Sequence, residues 1–169
     1  MRKTVLLMAA LIAGFGTTGV AQTAGPTLKK ITAFDLPGPA GKRFDYLTID
    51  QDDHYLISAH LAASQTYVID LRTNKVVASI KVPHWASDVA CGTRYCWVVS
   101  EPKSAGGVAT RIDPHSNKTV SRSIPNSWVP AAVVVVEGYV WVADPGRAAL
   151  IRIDPQTLRV SKRVIIPVS

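Results

Sequence analysis

Hydrophobic residues along this chain occur in short runs and in alternation with polar residues. Residues 131–136 are an unbroken run of alanine and valine, whereas apolar side chains recur at every second position through 76–82. Unbroken runs predict strands that are buried on both faces, and alternation predicts strands with one face in water. Gly, Pro, Asn and Asp bound these segments, and no segment after residue 21 shows a helical period. The pattern therefore predicts an all-β protein.

Three markers recur along the chain with a period of about 42 residues. Ile-Asp pairs stand before a predicted turn, and their aspartates are 43 and 41 residues apart: Asp70, Asp113 and Asp154. Prolines follow the last strand of each unit at spacings of 46, 42 and 42: Pro37, Pro83, Pro125 and Pro167. Trp97 and Trp141 lie 44 residues apart, each inside an apolar run. Periods of this length indicate solenoids, propellers or other repeat arrays.

Each repeat contains four predicted strands, from an apolar first strand to a half-exposed fourth. This gradient is typical of a propeller blade, whose first strand lies near the axis and whose last lies at the rim. A β-sandwich would have the same composition but not three matched units. We predict three four-stranded antiparallel blades at about 38–83, 84–125 and 126–169, with an extra N-terminal rim strand at 28–37.

The number of blades does not close a ring. Closed propellers typically have about 4–8 blades, so three blades predict an incomplete propeller with two open blade faces. Three explanations stay open at this point. The chain is a truncated member of a larger family, it associates with a second copy through the open faces, or it is an open array.

The first residues have the composition of an export signal. Met1–Lys3 is positively charged, Thr4–Phe15 is apolar, and Gly19–Ala21 has small residues at the positions that a signal peptidase reads. We predict a signal peptide at 1–21 and a mature partial propeller at 22–169, periplasmic or secreted, with no membrane span after cleavage. An uncleaved anchor is the alternative, but the apolar stretch is shorter than the ~20 residues that a membrane-spanning helix needs.

Two segments resemble known propeller repeats. Asp45–His60 (DYLTIDQDDHYLISAH) and Val68–Ile80 (VIDLRTNKVVASI) are similar to the YVTN-type β-propeller repeat. Glu137–Asp144 (EGYVWVAD), followed by Arg152–Pro155 (RIDP), is also similar to repeats of streptogramin-lyase-type propellers. The matching residues belong to strands and turns, so the resemblance implies the architecture. The lyase-type enzymes use His and Glu residues from several blades with a divalent metal; most of those blades are absent here, and no residue of this chain is assigned to that set.

Cys91 and Cys96 flank a four-residue connection and are predicted to lie opposite each other in a hairpin. In an oxidising compartment this arrangement favours a disulfide. The alternative is two small buried thiols. A cysteine pair without a third cysteine or a nearby histidine is weak support for a metal site.

The connections between second and third strands and those between blades lie on one end of a propeller, which we call the loop face. Loops on a rigid scaffold often carry binding groups. The candidate ligand-binding residues on this face combine charge with aromatic side chains: His60, His84, Trp85, Glu101, Trp128, Asp144 and Arg147. The alternative is that these are solvated loop residues and that the tryptophans pack between blades. We predict no metal site here, because equivalent positions on successive blades are spread around the ring.

Composition and charge narrow the range of functions. Hydrophobic residues make up 47% and charged residues 18% of the 169 positions, which excludes wholesale disorder. The net charge of +7 is scattered without a basic run, so no specific nucleic-acid partner is predicted. We find no catalytic motif and predict no cofactor. The sequence favours a non-enzymatic scaffold for an unidentified protein or small molecule. The alternative is a fragment of a streptogramin-lyase-like enzyme or an accessory to periplasmic quinone-dependent oxidation.

Overall fold

The computed structural model describes residues 28–33, 35–38, 46–83, 85–101 and 106–167. These residues form three four-stranded antiparallel sheets, in each of which consecutive strands pair with one another. The first sheet contains β1 (Leu47–Asp50), β2 (Tyr55–His60), β3 (Gln65–Asp70) and β4 (Lys75–Lys81). The second contains β5 (Ala86–Cys91), β6 (Cys96–Ser100), β7 (Val108–Ile112) and β8 (Thr119–Ser123). The third contains β9 (Ala132–Val136), β10 (Tyr139–Asp144), β11 (Ala149–Ile153) and β12 (Val160–Ile165).

The three sheets are arranged as propeller blades. The first strands of successive sheets are neighbours, since β5 contacts both β1 and β9. The sheets are not closed into a ring. The all-β prediction and the three four-stranded blades are confirmed. Short 3-10 turns at Leu61–Ala63 and Pro145–Arg147 follow β2 and β10, and no helix in the described ranges is long and apolar enough to cross a membrane.

Two hydrophobic clusters hold adjacent blades together. One cluster joins the first and second blades and includes Ile57, Val68 and Val98. The other joins the second and third blades and includes Trp97 and Ile151. The apolar positions of the repeat therefore pack face to face between blades, which is where the free energy of burial is gained.

The predicted burial of the run at 131–136 on both faces is wrong. Strand β9 buries Val133, but Val134 remains 54% exposed and Val136 49% exposed. Leu47 and Ile49 of β1 are also exposed on one face. The reason is the same in both blades, because no sheet of the described residues packs on their outer side.

The predicted N-terminal rim strand is not formed in the described residues 28–33 and 35–38. An extra rim strand would pair as the fourth strand of a blade that has only three strands of its own. Each of the three blades already has a fourth strand from its own repeat, so no such edge is available within the described part.

The repeated aspartates form the turns between third and fourth strands. The Oδ1 atom of Asp154 accepts hydrogen bonds from the amides of Gln156 and Thr157 at 3.0 and 2.8 Å. Asp70 and Asp113 accept equivalent bonds from the amides two and three residues ahead. These three residues act as turn formers, as the repeat predicts.

The last residue of each of these turns has a left-handed backbone conformation, with positive φ. It is an asparagine in two turns, at Asn74 and Asn117, and a leucine in the third, at Leu158. Asparagine tolerates positive φ better than leucine does. Leu158 is only 6% exposed and belongs to the second cluster, so burial of its side chain offsets its less favourable backbone.

Candidate functional site

His60 and Asp144 occupy equivalent positions at the ends of β2 and β10, but both side chains are buried. His60 is 3% exposed, and its Nδ1 lies 3.2 Å from the hydroxyl of Tyr67. The Tyr67 hydroxyl in turn donates to the carbonyl of Pro37. The structure therefore places His60 inside the first blade, in a network that ties the segment around residue 37 to that blade.

Asp144 organises the connection between the second and third blades. Its two carboxylate oxygens accept hydrogen bonds from the amides of Trp128 and Val129 at 2.8 and 3.1 Å. Burial by itself raises the pKa of the Asp144 carboxyl, but the hydrogen bonds donated to the carboxylate hold that pKa below its usual value of 3.8. Asp144 is thus charged at neutral pH, and it fixes the backbone that carries Trp128.

Trp128 is displayed on the loop face. Its side chain is 61% exposed, and the guanidinium of Arg147 lies 5.9 Å from the ring centroid. A cavity of about 270 Å³ nearby is lined by Asn126, Arg147, Arg163 and Ile165. Arg163 also donates to the carbonyl of Pro125. Two arginines and an exposed indole therefore share this part of the loop face, which we call the Trp128 site.

Trp85 and Glu101 are brought together at the second blade. The amide of Glu101 donates to the carbonyl of Trp85 at 3.2 Å, and the Trp85 side chain is 40% exposed. His84 lies outside the described residues. Of the predicted loop-face residues, Trp128, Asp144 and Arg147 form one local site, whereas His60 belongs to the core of the first blade.

Cys91 and Cys96 are joined by a disulfide across the hairpin of β5 and β6, with their Cα atoms 4.0 Å apart. This hairpin lies at the end of the propeller opposite the loop face, which we call the turn face. Asp50, at the end of β1, places its Oδ2 atom 3.9 Å from the Sγ atom of Cys96. Among the described residues, these side chains are the only group of three or more His, Cys, Asp or Glu ligands whose atoms all lie within 4.8 Å of one another.

Sequence reasoning did not select Asp50. Its place in the repeat could have pointed to it, because Asp50 and Cys91 each end the first strand of their blade, 41 residues apart. Both positions therefore come near the propeller axis on the turn face. The cavity between them, of about 280 Å³, is lined by Ile49, Asp50, Gln51, Asp52, Cys91, Gly92 and Thr93.

Comparison with known proteins supports the fold. No protein-family model matches the chain, and no curated protein sequence matches it. Solved structures that it resembles include Kuenenia stuttgartiensis hydrazine synthase, with a TM-score of 0.64 and 18% identity over 84% of this chain and 40% of that one. Streptogramin B lyase matches with a TM-score of 0.66 and 15% identity over 81% of this chain and 45% of the lyase. The structure of U3-55K matches with a TM-score of 0.64 and 8% identity over 76% and 41% of the two chains.

These similarities establish a propeller-like fold and nothing further. The chain spans 40–45% of the length of the solved chains it matches. The YVTN-type assignment stays a prediction, because no family model matches the chain. A similar fold at this level of sequence identity does not show that two proteins catalyse the same reaction.

Proposed function

We propose that this chain is an exported β-propeller scaffold that binds a protein partner through the Trp128 site, and that the contacting groups of the partner are carboxylates. The observation that carries the proposal is the exposed Trp128 beside Arg147, which also lines a cavity together with Arg163. Exposed tryptophan and arginine are the residue types most enriched among the energetically dominant residues of interfaces.

The charge of the site favours an acidic partner. Arg147 and Arg163 both line the cavity, and its other lining residues are the uncharged Asn126 and Ile165. The carboxylate of Asp144 is buried and engaged by two backbone amides, so it does not reach this surface. Arginine binds carboxylates through a planar fork of donors, and the indole ring adds apolar contact area.

The site is also held in place before a partner arrives. The two hydrogen bonds from Trp128 and Val129 to Asp144 restrict the backbone that presents the indole ring. A preorganised anchor loses less conformational freedom on binding than a mobile one. This arrangement supports a binding surface rather than a solvated loop.

A peptide titration tests the proposal. The probe is a peptide rich in glutamate that carries one tyrosine, and its control is the same peptide with glutamine in place of glutamate. We expect the glutamate peptide to shift the indole N–H resonance of Trp128 and to bind more tightly than the glutamine peptide. Arg147→Ala and Arg163→Ala should each weaken binding about fivefold, as expected for ion pairs at an exposed rim.

The matched control is Arg152→Ala. Arg152 also stacks on an aromatic ring, that of Tyr139 at 4.2 Å, but it does not line the cavity. Its loss should leave the affinity unchanged within about twofold. Equal binding of the two peptides, or equal effects of the three arginine variants, would show that the Trp128 site is not the binding surface.

Export is part of this proposal and rests on the pattern of residues 1–21, which lie outside the described residues. Mass spectrometry of the protein recovered from a bacterial host tests it. Cleavage after Ala21 should leave a chain that begins at Gln22, whereas an intact N-terminus on the recovered protein would contradict a cleaved export signal.

A further inference from the structure

A buried carboxyl lies against one sulfur of the disulfide on the turn face. Asp50 is 5% exposed, and its Oδ2 atom is 3.9 Å from the Sγ atom of Cys96. Cys96 is fully buried at the start of β6, whereas Cys91 is partly exposed. The two ends of the disulfide are therefore in different environments.

The cavity beside the disulfide reaches only one of its two residues. Its lining includes Asp50 and Cys91 but not Cys96. A volume of about 280 Å³ admits a small molecule but not a folded protein. A thiol that enters this cavity meets Cys91 first, and the departing sulfur is then that of Cys96.

We propose that Cys91–Cys96 is a thiol–disulfide exchange centre, in which a low-molecular-weight thiol attacks Cys91 and the Asp50 carboxyl protonates Cys96 as it departs. This is a second activity, independent of partner binding at the Trp128 site.

The exchange balances in two steps. In the first, the thiolate of the small molecule bonds to the Sγ of Cys91, the bond between Cys91 and Cys96 breaks, and its electron pair stays on Cys96. Cys96 takes the proton of the Asp50 carboxyl and becomes a thiol, which leaves Asp50 as a carboxylate. In the second step, another thiolate attacks the sulfur of the small molecule, the bond from that sulfur to Cys91 breaks, and Cys91 leaves as a thiolate with the electron pair. The small thiol is oxidised to its disulfide and the protein is reduced.

The position of Asp50 suits the role of proton donor. A thiolate on buried Cys96 is unfavourable, because burial in apolar surroundings raises the pKa of a thiol. Rates of exchange depend on how readily the leaving sulfur accepts its electron pair, so a proton delivered to Cys96 accelerates the step. In the reverse direction, the Asp50 carboxylate accepts the proton from Cys96, which regenerates the attacking thiolate.

The surroundings of Asp50 keep the carboxyl protonated to higher pH than an exposed aspartate. Burial raises its pKa, and the charges of Asp53 and Asp52 add to the rise, whereas hydrogen bonds from the same two backbone amides act against it. The other charged or titratable residues on the turns that border the site are Arg94, between β5 and β6, and His115, whose Nε2 lies 3.0 Å from Oδ1 of Asp53.

The charge of the cavity selects among small thiols. When Asp50 is in the protonated form that donates to Cys96, Asp52 is the charged residue of the lining, and Cys91, Gly92 and Thr93 on the opposite side are uncharged. A cationic thiol such as cysteamine should therefore react faster than thioglycolate, a thiol of similar size with a negative charge, when both are compared at equal thiolate concentration.

The main experiment measures the rate of reduction of the disulfide by cysteamine in the full chain. Asp50→Asn keeps the shape of the side chain but removes the acidic proton, and it should slow reduction about a hundredfold near pH 4. In the wild type, the rate per thiolate should fall as the pH rises through the pKa of Asp50. The variant should be slow at every pH.

Asp88→Asn is the matched control. Asp88 is a second carboxyl whose pKa is raised by burial, on the same strand as Cys91, and it accepts hydrogen bonds from the amides of Val89 and Val133. Its substitution should leave the reduction rate unchanged within about twofold if the variant retains the far-ultraviolet circular dichroism of the wild type. Equal rates for wild type and Asp50→Asn would overturn the proposal and leave the disulfide a structural crosslink.

Single-cysteine variants test the asymmetry without changing Asp50. Cys96→Ser leaves the Cys91 thiol, which should form a mixed disulfide with 2,2′-dithiodipyridine at least about tenfold faster than the Cys96 thiol left by Cys91→Ser. Equal reactivity of the two thiols in folded variants would contradict attack through the cavity.

Discussion

The two junctions between blades have similar hydrophobic packing but different polar contacts. At the second junction, the Asp88 carboxylate accepts a hydrogen bond from the Val133 amide at 2.8 Å, and Arg111 donates to the Pro155 carbonyl at 2.8 Å. At the first junction, His115 Nε2 lies 3.0 Å from Asp53 Oδ1 at the exposed turns, and the buried Asp50 lies 3.9 Å from the Cys96 sulfur, a longer and weaker contact. The apolar positions that pack between blades thus recur from one repeat to the next. The polar contacts between blades do not recur, because they depend on residues that stand in one repeat only.

The two junctions thus use a buried carboxyl in two ways, one structural and one reactive. Asp88 directs its carboxylate at a backbone amide of the next blade, which is a structural use of a charge. Asp50 directs its carboxyl at a sulfur atom beside a cavity, where a proton can be exchanged. Variants at the two junctions can therefore separate stability from reactivity.

The largest expected effect is a loss of packing that is the same at both junctions. Ile57→Ala in the first cluster and Ile151→Ala in the second each empty a fully buried position. Each should lower the free energy of unfolding by about 3–4 kcal/mol, through lost burial and the cavity left behind. Urea denaturation measures both values, and a difference of more than about 2 kcal/mol would show that the junctions are not equivalent in their packing.

The second expected effect is that two buried carboxyls change the free energy of unfolding in opposite directions as the pH rises. The pKa of Asp144 is lowered, so its contribution to stability is present above the usual aspartate value of 3.8 and is lost as the pH falls through the folded-state pKa. The pKa of Asp50 is raised, so its contribution is present below 3.8 and is lost as the pH rises through the folded-state pKa.

Asn variants measure this difference. Asp144→Asn should destabilise the protein by about 1–2 kcal/mol at pH 7, because one charge-assisted acceptor is lost, and by less at pH 3. Asp50→Asn should become more stable relative to the wild type as the pH rises from 4 to 7. Denaturation at pH 3, 4 and 7 measures both trends, and parallel trends would refute the assignment of opposite shifts.

The smallest expected effect concerns the turns on the loop face. Ala148 closes the 3-10 turn of the third blade with φ at +45°, a left-handed conformation that favours glycine. Ala148→Gly should stabilise the protein by about 0.5–1 kcal/mol. Ala149→Gly, one position later in β11, should instead destabilise it. Calorimetry of both variants measures the contrast, and a loss of stability in both would show that the turn is not strained by alanine.

Much of the fold was predictable because it depends on local pattern. Strand alternation, turn residues and the 42-residue period located the three blades and the turns formed by Asp70, Asp113 and Asp154. The candidate site was predictable only in part. Trp128 and Arg147 do meet on the loop face, but His60 is buried against Tyr67, because its environment depends on which strands surround it.

The amino-acid sequence by itself determined the secondary structure and the repeat, since both follow from side-chain periodicity over a few neighbouring residues. Only the tertiary structure decided which faces are covered. The apolar run at 131–136 is half-exposed because burial depends on a neighbouring sheet. The approach of Asp50 to Cys96 joins residues 46 positions apart, and only the packing of one blade against the next brings their side chains together.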